Sequence, residues 1–406
     1  MLTLPYHYRD PRTDGAMAKA FAAVPAETIY SETGIQFMQI NTLYQVLDDL
    51  ENRSGILEIS DQFLNIADYF NYIFSGVGCA EESLASTTQL FNPHEREWSR
   101  QLIERFALPA RIFPKLVKSG TRLGPLLAEI AEEVDLHGTQ VVAGCSHDTG
   151  AAVAAVPAEG QDWCYISSGT WSVMGIEAKK PIINDASRTM GFANEMGYGG
   201  TTRFLKNIVG LWVVQECRRE WAGEGYQYSY EDLTKMAEEA PPLKCLINPV
   251  DPRFVKPSLM PQKIISYCRE TKQIVPTTHG EIIRCVLDSL ALRYRQVLQE
   301  ITSITGHESR NVHIVGGGSR NGLLNQLTAN ATKVEVLAGP SEATAVGNIL
   351  VQAIAMDHLR SLEDLRRVVR TSFPVSSYRP QDTDTWMKAY ERFQELPVIS
   401  DAAESR

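Results

Sequence analysis

Residues 311–337 read NVHIVGGGSRNGLLNQLTANATKVEVL, and they indicate the fold more clearly than any other stretch of the chain. Asn311 to Val315 predicts a strand, Gly316-Gly317-Gly318 a tight turn, Leu323 to Ala331 a helix and Lys333 to Leu337 a second strand. Strand, turn, helix and strand in this order form a βαβ unit, whose two strands lie parallel. The sequence therefore predicts an α/β protein with a parallel sheet.

Segments on both sides of this unit extend the α/β pattern. Apolar residues three and four positions apart predict a long amphipathic helix from His279 to Ile304. A second helix, Glu342 to Met356, carries small residues that permit close backbone contact. Further back, two β-rich runs at 163–166 and 171–176 surround the turn Ser167-Ser168-Gly169-Thr170, which predicts a hairpin.

The length of the chain favours two domains. With 406 residues, of which 44% are hydrophobic, the chain is long enough to bury two separate cores. Proline, glycine and charged residues interrupt the pattern between Pro157 and Gln161, which places a domain boundary there. The predicted division is residues 1–158, residues 159–360 and a C-terminal extension of residues 361–406.

The charge balance excludes two classes of partner. A protein that binds nucleic acid or a membrane surface needs a basic footprint, whereas the formal net charge here is −10. The seven cysteines form no CxxC pair, and their odd number over such a long chain does not suggest a disulfide framework. No signal-like start and no run near the roughly 18 apolar residues of a membrane span is present in the sequence. We therefore expect a cytoplasmic protein.

The segment Ser146-His147-Asp148-Thr149 follows a predicted buried strand, Gln140 to Gly144, and precedes a predicted helix, Gly150 to Val156. In open α/β sheets, ligands bind outside the carboxyl ends of the strands. Asp148 is therefore a candidate general base, and capping of the following helix is its alternative role. His147 is more often a packed or hydrogen-bonded spacer than a ligand. The three consecutive residues are not a hydrolase triad, because triad members come from separate elements.

Two glycine-containing turns are candidates for holding phosphate. Ser167 to Thr170 offers hydroxyls and backbone amides that can surround an anion, although turn chemistry alone also selects such residues. Gly316-Gly317-Gly318 is the stronger signal, since glycines between a strand and a helix let a ligand approach the backbone. The glycines at 316, 318 and 322 are spaced one residue too widely for a dinucleotide-binding fingerprint. The sequence contains neither a Walker A motif nor a zinc-ligand spacing.

Leu205 to Trp221 is predicted to form one helix that carries Asn207, Trp212 and Gln215. Polar residues on an amphipathic helix usually face water. The residues alone therefore do not favour a ligand-binding role for Asn207 or Gln215.

Three ordered motifs resemble those of the FGGY carbohydrate kinases: Ser146-His147-Asp148-Thr149, Ser167 to Trp171 and Gly316 to Asn321. Further segments are most similar to the members of this family that phosphorylate L-rhamnulose: Tyr8-Arg9-Asp10, residues 205–212 and residues 247–254. The similarity extends over residues 6–380.

The resemblance implies a fold, a reaction and a set of site residues. The fold is two α/β domains of the actin/hexokinase (ribonuclease H-like) type that flank a cleft, with sugar bound mainly by the first domain and ATP mainly by the second. Asp148 is implied as the catalytic base, and the residues implied to bind substrate are Ser146, His147, Asp148 and Asn207. The residues implied to bind ATP are Thr170, Gln215, Gly316, Gly317 and Gly318. The implied reaction is Mg²⁺-dependent phosphorylation of L-rhamnulose to L-rhamnulose 1-phosphate.

The sequence departs from the family pattern at its start. FGGY kinases begin with a phosphate-binding hairpin of the D-x-G-x-x-S type, whereas this sequence opens downstream of it. The first domain is therefore expected to be N-terminally truncated and to expose a sheet edge with unpaired backbone groups. Three alternatives stay open: a separate polypeptide that supplies the hairpin, a remnant that binds nucleotide without turnover, and a kinase for L-fuculose or another deoxyketose.

Overall fold

A computed structural model describes residues 1–2, 4–8 and 10–399, so Arg9 of the Tyr8-Arg9-Asp10 segment lies outside the described residues. The chain forms two compact units, each assembled from separate stretches of sequence. Unit 1 comprises Met1–Ala155, Ile176–Lys206 and Ala343–Val369, and unit 2 comprises Val156–Gly175, Asn207–Glu342 and the residues from Arg370 onward. The linear division into residues 1–158, 159–360 and 361–406 stays a prediction.

Helices cover more of the described chain than strands do. The α-helices are α1 (Ala16–Ala23), α2 (Ala26–Thr33), α3 (Thr42–Asn52), α4 (Ser54–Ile59), α5 (Ile66–Ser75), α6 (Glu82–Ala85), α7 (Arg100–Arg105), α8 (Ala128–Val134), α9 (Asp148–Ala154), α10 (Asp185–Thr189), α11 (Trp212–Gly223), α12 (Tyr230–Glu239), α13 (Met260–Glu270), α14 (His279–Thr305), α15 (Gly322–Thr332), α16 (Ala343–Ala355), α17 (Leu362–Ser372) and α18 (Thr383–Gln394).

The strands are on average shorter than the helices. They are β1 (Ala80–Glu81), β2 (Phe91–Asn92), β3 (Glu97–Trp98), β4 (Leu116–Val117), β5 (Thr121–Pro125), β6 (Gln140–Ala143), β7 (Trp163–Ser168), β8 (Trp171–Ala178), β9 (Ala193–Met196), β10 (Thr202–Val209), β11 (Asn311–Val315), β12 (Glu335–Ala338) and β13 (Ser376–Tyr378).

Unit 2 contains the predicted βαβ unit. β11 and β12 pair in parallel, from Asn311 opposite Glu335 to Ile314 opposite Ala338, and α15 connects them. On its other side β11 pairs in parallel with β7, which continues through a tight turn into its antiparallel partner β8. At the opposite edge, β13 pairs antiparallel with β12. The predicted parallel strands and the predicted hairpin are both confirmed.

The long helix predicted from the spacing of apolar residues is confirmed as α14. Its first turn is capped by the Thr278 side chain, which accepts a hydrogen bond from the Glu281 amide at 3.2 Å. It ends at Gly306, whose positive φ of 71° closes the last turn in the left-handed conformation that glycine tolerates best. Leu287 and Leu290 lie on its buried face, and α12 and α15 pack against it.

Unit 1 combines a helical core with short strand pairs. Leu43 and Tyr44 of α3 pack in one cluster with Phe91, Leu102 and Ile112, all almost fully buried. The strand pairs are β1 with β4 in parallel, and β2 with β3, β5 with β6 and β9 with β10 antiparallel. The expectation that this unit exposes a sheet edge through truncation stays a prediction.

Two helices of unit 1 make a very close contact. Gly347 of α16 lies against the backbone of Ala151 in α9, and a Cβ atom at position 347 would stand 2.6 Å from the Ala151 carbonyl carbon. Only glycine allows this approach. The small residues predicted to permit close backbone contact in α16 therefore do so against the helix that begins with Asp148.

The predicted helix from Leu205 to Trp221 is wrong. The chain continues as strand β10 to Val209, passes Gly210 and enters α11 only at Trp212. A Cβ atom at Gly210 would lie 2.6 Å from the Ser172 Oγ atom, so glycine is required where the chain passes the β8 backbone. Asn207 is therefore a strand residue, and it does not share a helix with Gln215.

Two further observations concern the whole described chain. Among the residues that the structure describes, no helix is long and apolar enough to cross a bilayer. All seven cysteines are buried and carry free thiols.

Candidate active site

Asp148 is the first residue of α9, immediately beyond the loop that follows β6. His147 occupies the N-cap position of α9. Asp148 therefore does not cap this helix, which was the alternative role that the sequence left open. Its side chain is 76% exposed, and Oδ1 accepts a hydrogen bond from the Thr149 amide at 2.6 Å. An exposed carboxylate beyond the carboxyl end of a strand is placed to meet a ligand.

His147 lies between Asp148 and a buried ion pair. Its Nε2 atom is 3.5 Å from Asp148 Oδ1, and its Nδ1 atom is 3.1 Å from Glu195 Oε2 and 3.0 Å from an Arg203 guanidinium nitrogen. Glu195 and Arg203 are directly opposite each other on β9 and β10, and their side chains pair at 3.0 Å. The Arg203 side chain is fully buried, so this pair is fixed within the unit.

The ion pair determines which nitrogen of His147 faces Asp148. Nδ1 accepts from Arg203 when it carries no proton, and donates to Glu195 when it does. In both arrangements Nδ1 points at the pair and Nε2 points at Asp148. Burial alone would raise the pKa of Glu195, but the charges of Arg203 and His147 hold that pKa below its usual range. Glu195 is therefore an anion that keeps the imidazole in place.

Ser146 contributes its backbone to the structure of this loop. Its amide donates to the buried carboxylate of Glu81 at 2.9 Å. Ser146 and His147 are thus the last two residues of this loop, and Asp148 follows them as the first residue of α9. That Ser146, His147 and Asp148 bind a sugar stays a prediction.

The predicted nucleotide-binding residues of unit 2 also come together. The Leu211 and Trp212 amides donate to the carbonyl oxygens of Gly169 and Thr170 at 3.1 and 3.0 Å, which joins the start of α11 to the hairpin turn. The Thr170 hydroxyl donates to the Gln215 side-chain oxygen at 3.3 Å. The turn and the first turn of α11 therefore present Thr170 and Gln215 side by side.

The glycine turn after β11 packs against the end of β7. Gly316 has a φ of 83°, a conformation that favours glycine, and Gly317 begins a 3-10 helix that extends to Arg320. A Cβ atom at Gly318 would lie 2.6 Å from the Ser168 Cβ atom. The three glycines consequently adjoin the same hairpin that carries Thr170. Asn207 lies on β10, and its predicted contact with substrate stays a prediction.

The described residues contain one group of side chains with the spacing of a metal site. It consists of the buried thiols of Cys245, Cys268 and Cys285, whose sulfur atoms lie within 4.8 Å of one another. Sulfur ligands suit soft metal ions, whereas Mg²⁺ binds oxygen. This cluster therefore does not fit magnesium, and the use of Mg²⁺ stays a prediction.

Sequence reasoning missed three buried charged residues that support the loop of Asp148: Glu81, Glu195 and Arg203. A signal for the last two exists, because Gly197, Gly199 and Gly200 separate two β-rich runs and indicate a hairpin. A hairpin there places residues 195 and 203 on facing strands. Glu81 has no comparable signal, since Ser119 and Ser146, which bind it, come from distant segments of the chain.

Comparison with known proteins identifies the family of the chain. Residues 4–155 match the N-terminal domain, and residues 164–356 the C-terminal domain, of the FGGY family of carbohydrate kinases. A rhamnulokinase of Bacteroides thetaiotaomicron is 41% identical over 97% of this chain and 80% of its own length. A rhamnulokinase of Enterococcus faecalis is 40% identical over 97% of this chain and 79% of its own length.

Solved structures show the same fold at lower identity. A ligand-bound xylulose kinase from Lactobacillus acidophilus matches with a TM-score of 0.79 at 15% identity, over 97% of this chain and 79% of that one. Glycerol kinase of Plasmodium falciparum with ADP matches with a TM-score of 0.77 at 15% identity, over 97% and 78% respectively. The predicted two-domain α/β fold is confirmed, and the chain belongs to the FGGY family of carbohydrate kinases.

Proposed function

We propose that this chain transfers the γ-phosphoryl group of ATP to L-rhamnulose and releases L-rhamnulose 1-phosphate and ADP. The relatives at 40–41% identity that are named rhamnulokinases support this substrate. The observation that carries the proposal is the position of Asp148, an exposed carboxylate in the first turn of α9 with His147 beside it.

Asp148 is proposed as the base. The sugar hydroxyl oxygen forms a bond to the γ-phosphorus, the bond from that phosphorus to the ADP oxygen breaks, and the hydroxyl proton moves to Asp148. Such a transition state is loose, so catalysis depends mainly on positioning and on stabilisation of the phosphoryl oxygens. The hydroxyl becomes acidic as its bond to phosphorus forms, and a carboxylate within hydrogen-bond reach then accepts the proton.

Ser146, His147 and Asn207 are proposed to bind the sugar. His147 is suited to this role because its Nδ1 side is held by Glu195 and Arg203, which leaves Nε2 beside Asp148. An imidazole that cannot rotate offers one fixed hydrogen-bonding atom to a sugar hydroxyl.

The residues of unit 2 are proposed to bind ATP. Thr170 and Gln215 supply polar side chains, and Gly316, Gly317 and Gly318 supply backbone, with open space beside Gly317, where an added Cβ atom would meet nothing within 4 Å. Magnesium is proposed to enter with ATP and to neutralise charge on its phosphates. Free thiols and the use of ATP both fit the cytoplasm, where we place the reaction. The comparisons give no support to a separate polypeptide, so the proposal concerns this chain alone.

An assay of ADP release tests the proposal. The purified chain is incubated with ATP, Mg²⁺ and L-rhamnulose, beside the Asp148→Asn variant, which keeps the shape of the side chain. We expect sugar-dependent ADP release in the wild type and a fall in kcat of about 10²- to 10⁴-fold in the variant, the usual contribution of a general base. L-Fuculose and D-xylulose in place of L-rhamnulose test which ketose is preferred.

A matched substitution separates catalysis from general effects. Asp135→Asn changes a carboxylate that is 95% exposed at the end of α8, and we expect its kcat to equal that of the wild type. Equal activity of the Asp148→Asn variant and the wild type would exclude Asp148 as the base. ADP release that is independent of any ketose would contradict the proposed reaction.

A further inference from the structure

Glu81 is a fully buried carboxylate at the end of β1, and donors from three separate segments converge on it. The Ser83 and Leu84 amides of α6 donate to it at 2.9 and 3.4 Å. The Ser119 hydroxyl, which follows β4, donates to Oε1, and the Ser146 amide donates to Oε2 at 2.9 Å. One side chain thus joins the ends of two paired strands to the loop that precedes Asp148.

Ser83 makes the same kind of contact with the next residue of the loop. The hydrogen bonds by which Glu81 and Ser83 hold this loop are together called the anchor. Its hydroxyl donates to Glu81 Oε2 at 2.5 Å and accepts a hydrogen bond from the His147 amide at 3.1 Å. The Ser83 side chain is also fully buried. The two consecutive amides before Asp148 are therefore held by Glu81 directly and by Glu81 through Ser83.

These two amides have few other ways to be satisfied. A capping box would satisfy the His147 amide with the side chain of the third helical residue, but that residue of α9 is Gly150, which has no side chain. Buried backbone amides without an acceptor are costly, so a loop at a helix start needs acceptors from elsewhere. Glu81 and Ser83 supply them, and the direction of the loop follows from where their oxygens lie.

A second buried carboxylate holds Glu81 in turn. Asp68 of α5 is fully buried, and its Oδ1 atom accepts from the Glu81 amide at 3.1 Å. Burial raises the pKa of Asp68 to about 7. Burial also raises the pKa of Glu81, and the hydroxyl and amide donors around it oppose that rise. Backbone amides cannot accept a proton, so the carboxylate form of Glu81 is the one that satisfies all of its donors.

We propose that Glu81 is a positioning residue for phosphoryl transfer, which acts with Ser83 on the backbone of Ser146 and His147 and so directs the Asp148 carboxylate. The inference rests on the proposed function of Asp148. Loss of the anchor releases the two amides and lets the first turn of α9 shift. A displacement near 1 Å of a catalytic group lowers a rate by roughly 10²-fold.

Two variants test the anchor from both ends. Glu81→Gln keeps the size of the side chain but turns an amide group toward donors, and Ser83→Ala removes the link to His147. We expect both to lower kcat for ADP release by about 10- to 100-fold, with the larger loss in Glu81→Gln. Hydrogen exchange measured by mass spectrometry on peptides that cover residues 144–150 should accelerate in both variants.

Matched controls come from unit 2. Asp251 is a fully buried carboxylate that accepts from the Arg253 and Ile399 amides at 3.1 and 2.8 Å. Ser289 is a fully buried serine that accepts from the Ile247 amide at 2.9 Å and donates to the Cys285 carbonyl at 2.6 Å. Asp251→Asn and Ser289→Ala remove comparable bonds, and we expect neither to change exchange in residues 144–150.

The outcomes separate the anchor from the proposed reaction. Unchanged exchange at residues 144–150 in both variants, or unchanged kcat despite faster exchange, would overturn the positioning role. If Glu81→Gln fails to fold, Ser83→Ala decides, since a purely structural role predicts lower stability with normal kcat. If the wild type releases no ADP, the proposed function fails, while the exchange of the Ser146 and His147 amides still shows whether Glu81 holds them.

Discussion

Replacement of Gly347 by alanine probes whether the contact between α9 and α16 sets the position of Asp148. A Cβ atom at residue 347 would stand 2.6 Å from the carbonyl carbon and 3.2 Å from the Cα atom of Ala151. Non-bonded carbon atoms rest about 3.5–4.0 Å apart, so the helices must separate by about 1 Å. Overpacking of this kind costs about 1–3 kcal/mol.

The effect on activity follows from the same displacement. Ala151 is three residues beyond Asp148 on α9, so a shift of the helix carries the carboxylate with it. We expect kcat for ADP release to fall by about 10²-fold, because misplacement by 1 Å has that effect on a positioned catalytic group. For a unit of this size, each 1 kcal/mol lowers the melting temperature by about 2–4 °C, so a loss of several degrees accompanies it.

Thermal unfolding followed by circular dichroism and the ADP-release assay measure the two effects. Gly223→Ala is the control, because Gly223 ends α11 in an exposed position with no atom within 4 Å of an added Cβ. We expect this control to retain the wild-type kcat and to melt no lower than the wild type, because alanine favours a helix over glycine. A Gly347→Ala variant with wild-type values of both would refute the claim that close packing of α16 positions α9.

Glu195→Gln leaves the buried Arg203 guanidinium without its counter-charge, and we expect the free energy of unfolding near neutral pH to fall by about 3–5 kcal/mol in urea titrations. Burial opposes ionisation of Glu195, but Arg203 and His147 lower its pKa. The wild type therefore loses this stabilisation only as the pH falls through that lowered pKa. The difference in unfolding free energy between wild type and variant shrinks accordingly in acid. Gly318→Ala places a Cβ atom against Ser168, and we expect binding of a non-hydrolysable ATP analogue to weaken by roughly tenfold in calorimetry, whereas sugar binding stays unchanged. Phe70 is 51% exposed on α5, so Phe70→Lys removes no buried contact, and we expect its melting temperature in circular dichroism to equal that of the wild type.

The parts of the fold that could be predicted from the sequence depend on local signals. The βαβ unit around Gly316, the hairpin around Gly169 and the long helix α14 each follow from residues close together in the chain. Apolar periodicity and turn residues report on such elements because both arise within one element. The general position of Asp148 was predictable for the same reason, since a short strand immediately precedes it.

The one misassigned element shows where local signals conflict. Residues 205–221 contain apolar residues at spacings that fit a helix, but the β-branched pair Ile208-Val209 precedes Gly210, which interrupts the run. β10 is hydrogen-bonded between β9 and β8 in the sheet, which overrides helix formation there, and the close approach of Gly210 to Ser172 separates strand from helix. Both contacts involve partners outside residues 205–221, so the sequence of that segment alone does not report them.

The buried charges explain why the site was less predictable than the fold. Glu81, Glu195 and Arg203 are each at least 95% buried, and a local sequence pattern gives no reason to place a charge inside. A well-packed apolar set is often as stable as a buried ion pair, so the stability of unit 1 does not by itself account for these residues. Their shared property is that Glu81 holds the backbone before Asp148, while Glu195 and Arg203 hold the imidazole beside it. If the buried charges serve to orient this loop, variants of Glu81 and Glu195 must lose more kcat than their loss of stability explains. Activity measured well below the melting temperatures of the variants separates the two effects.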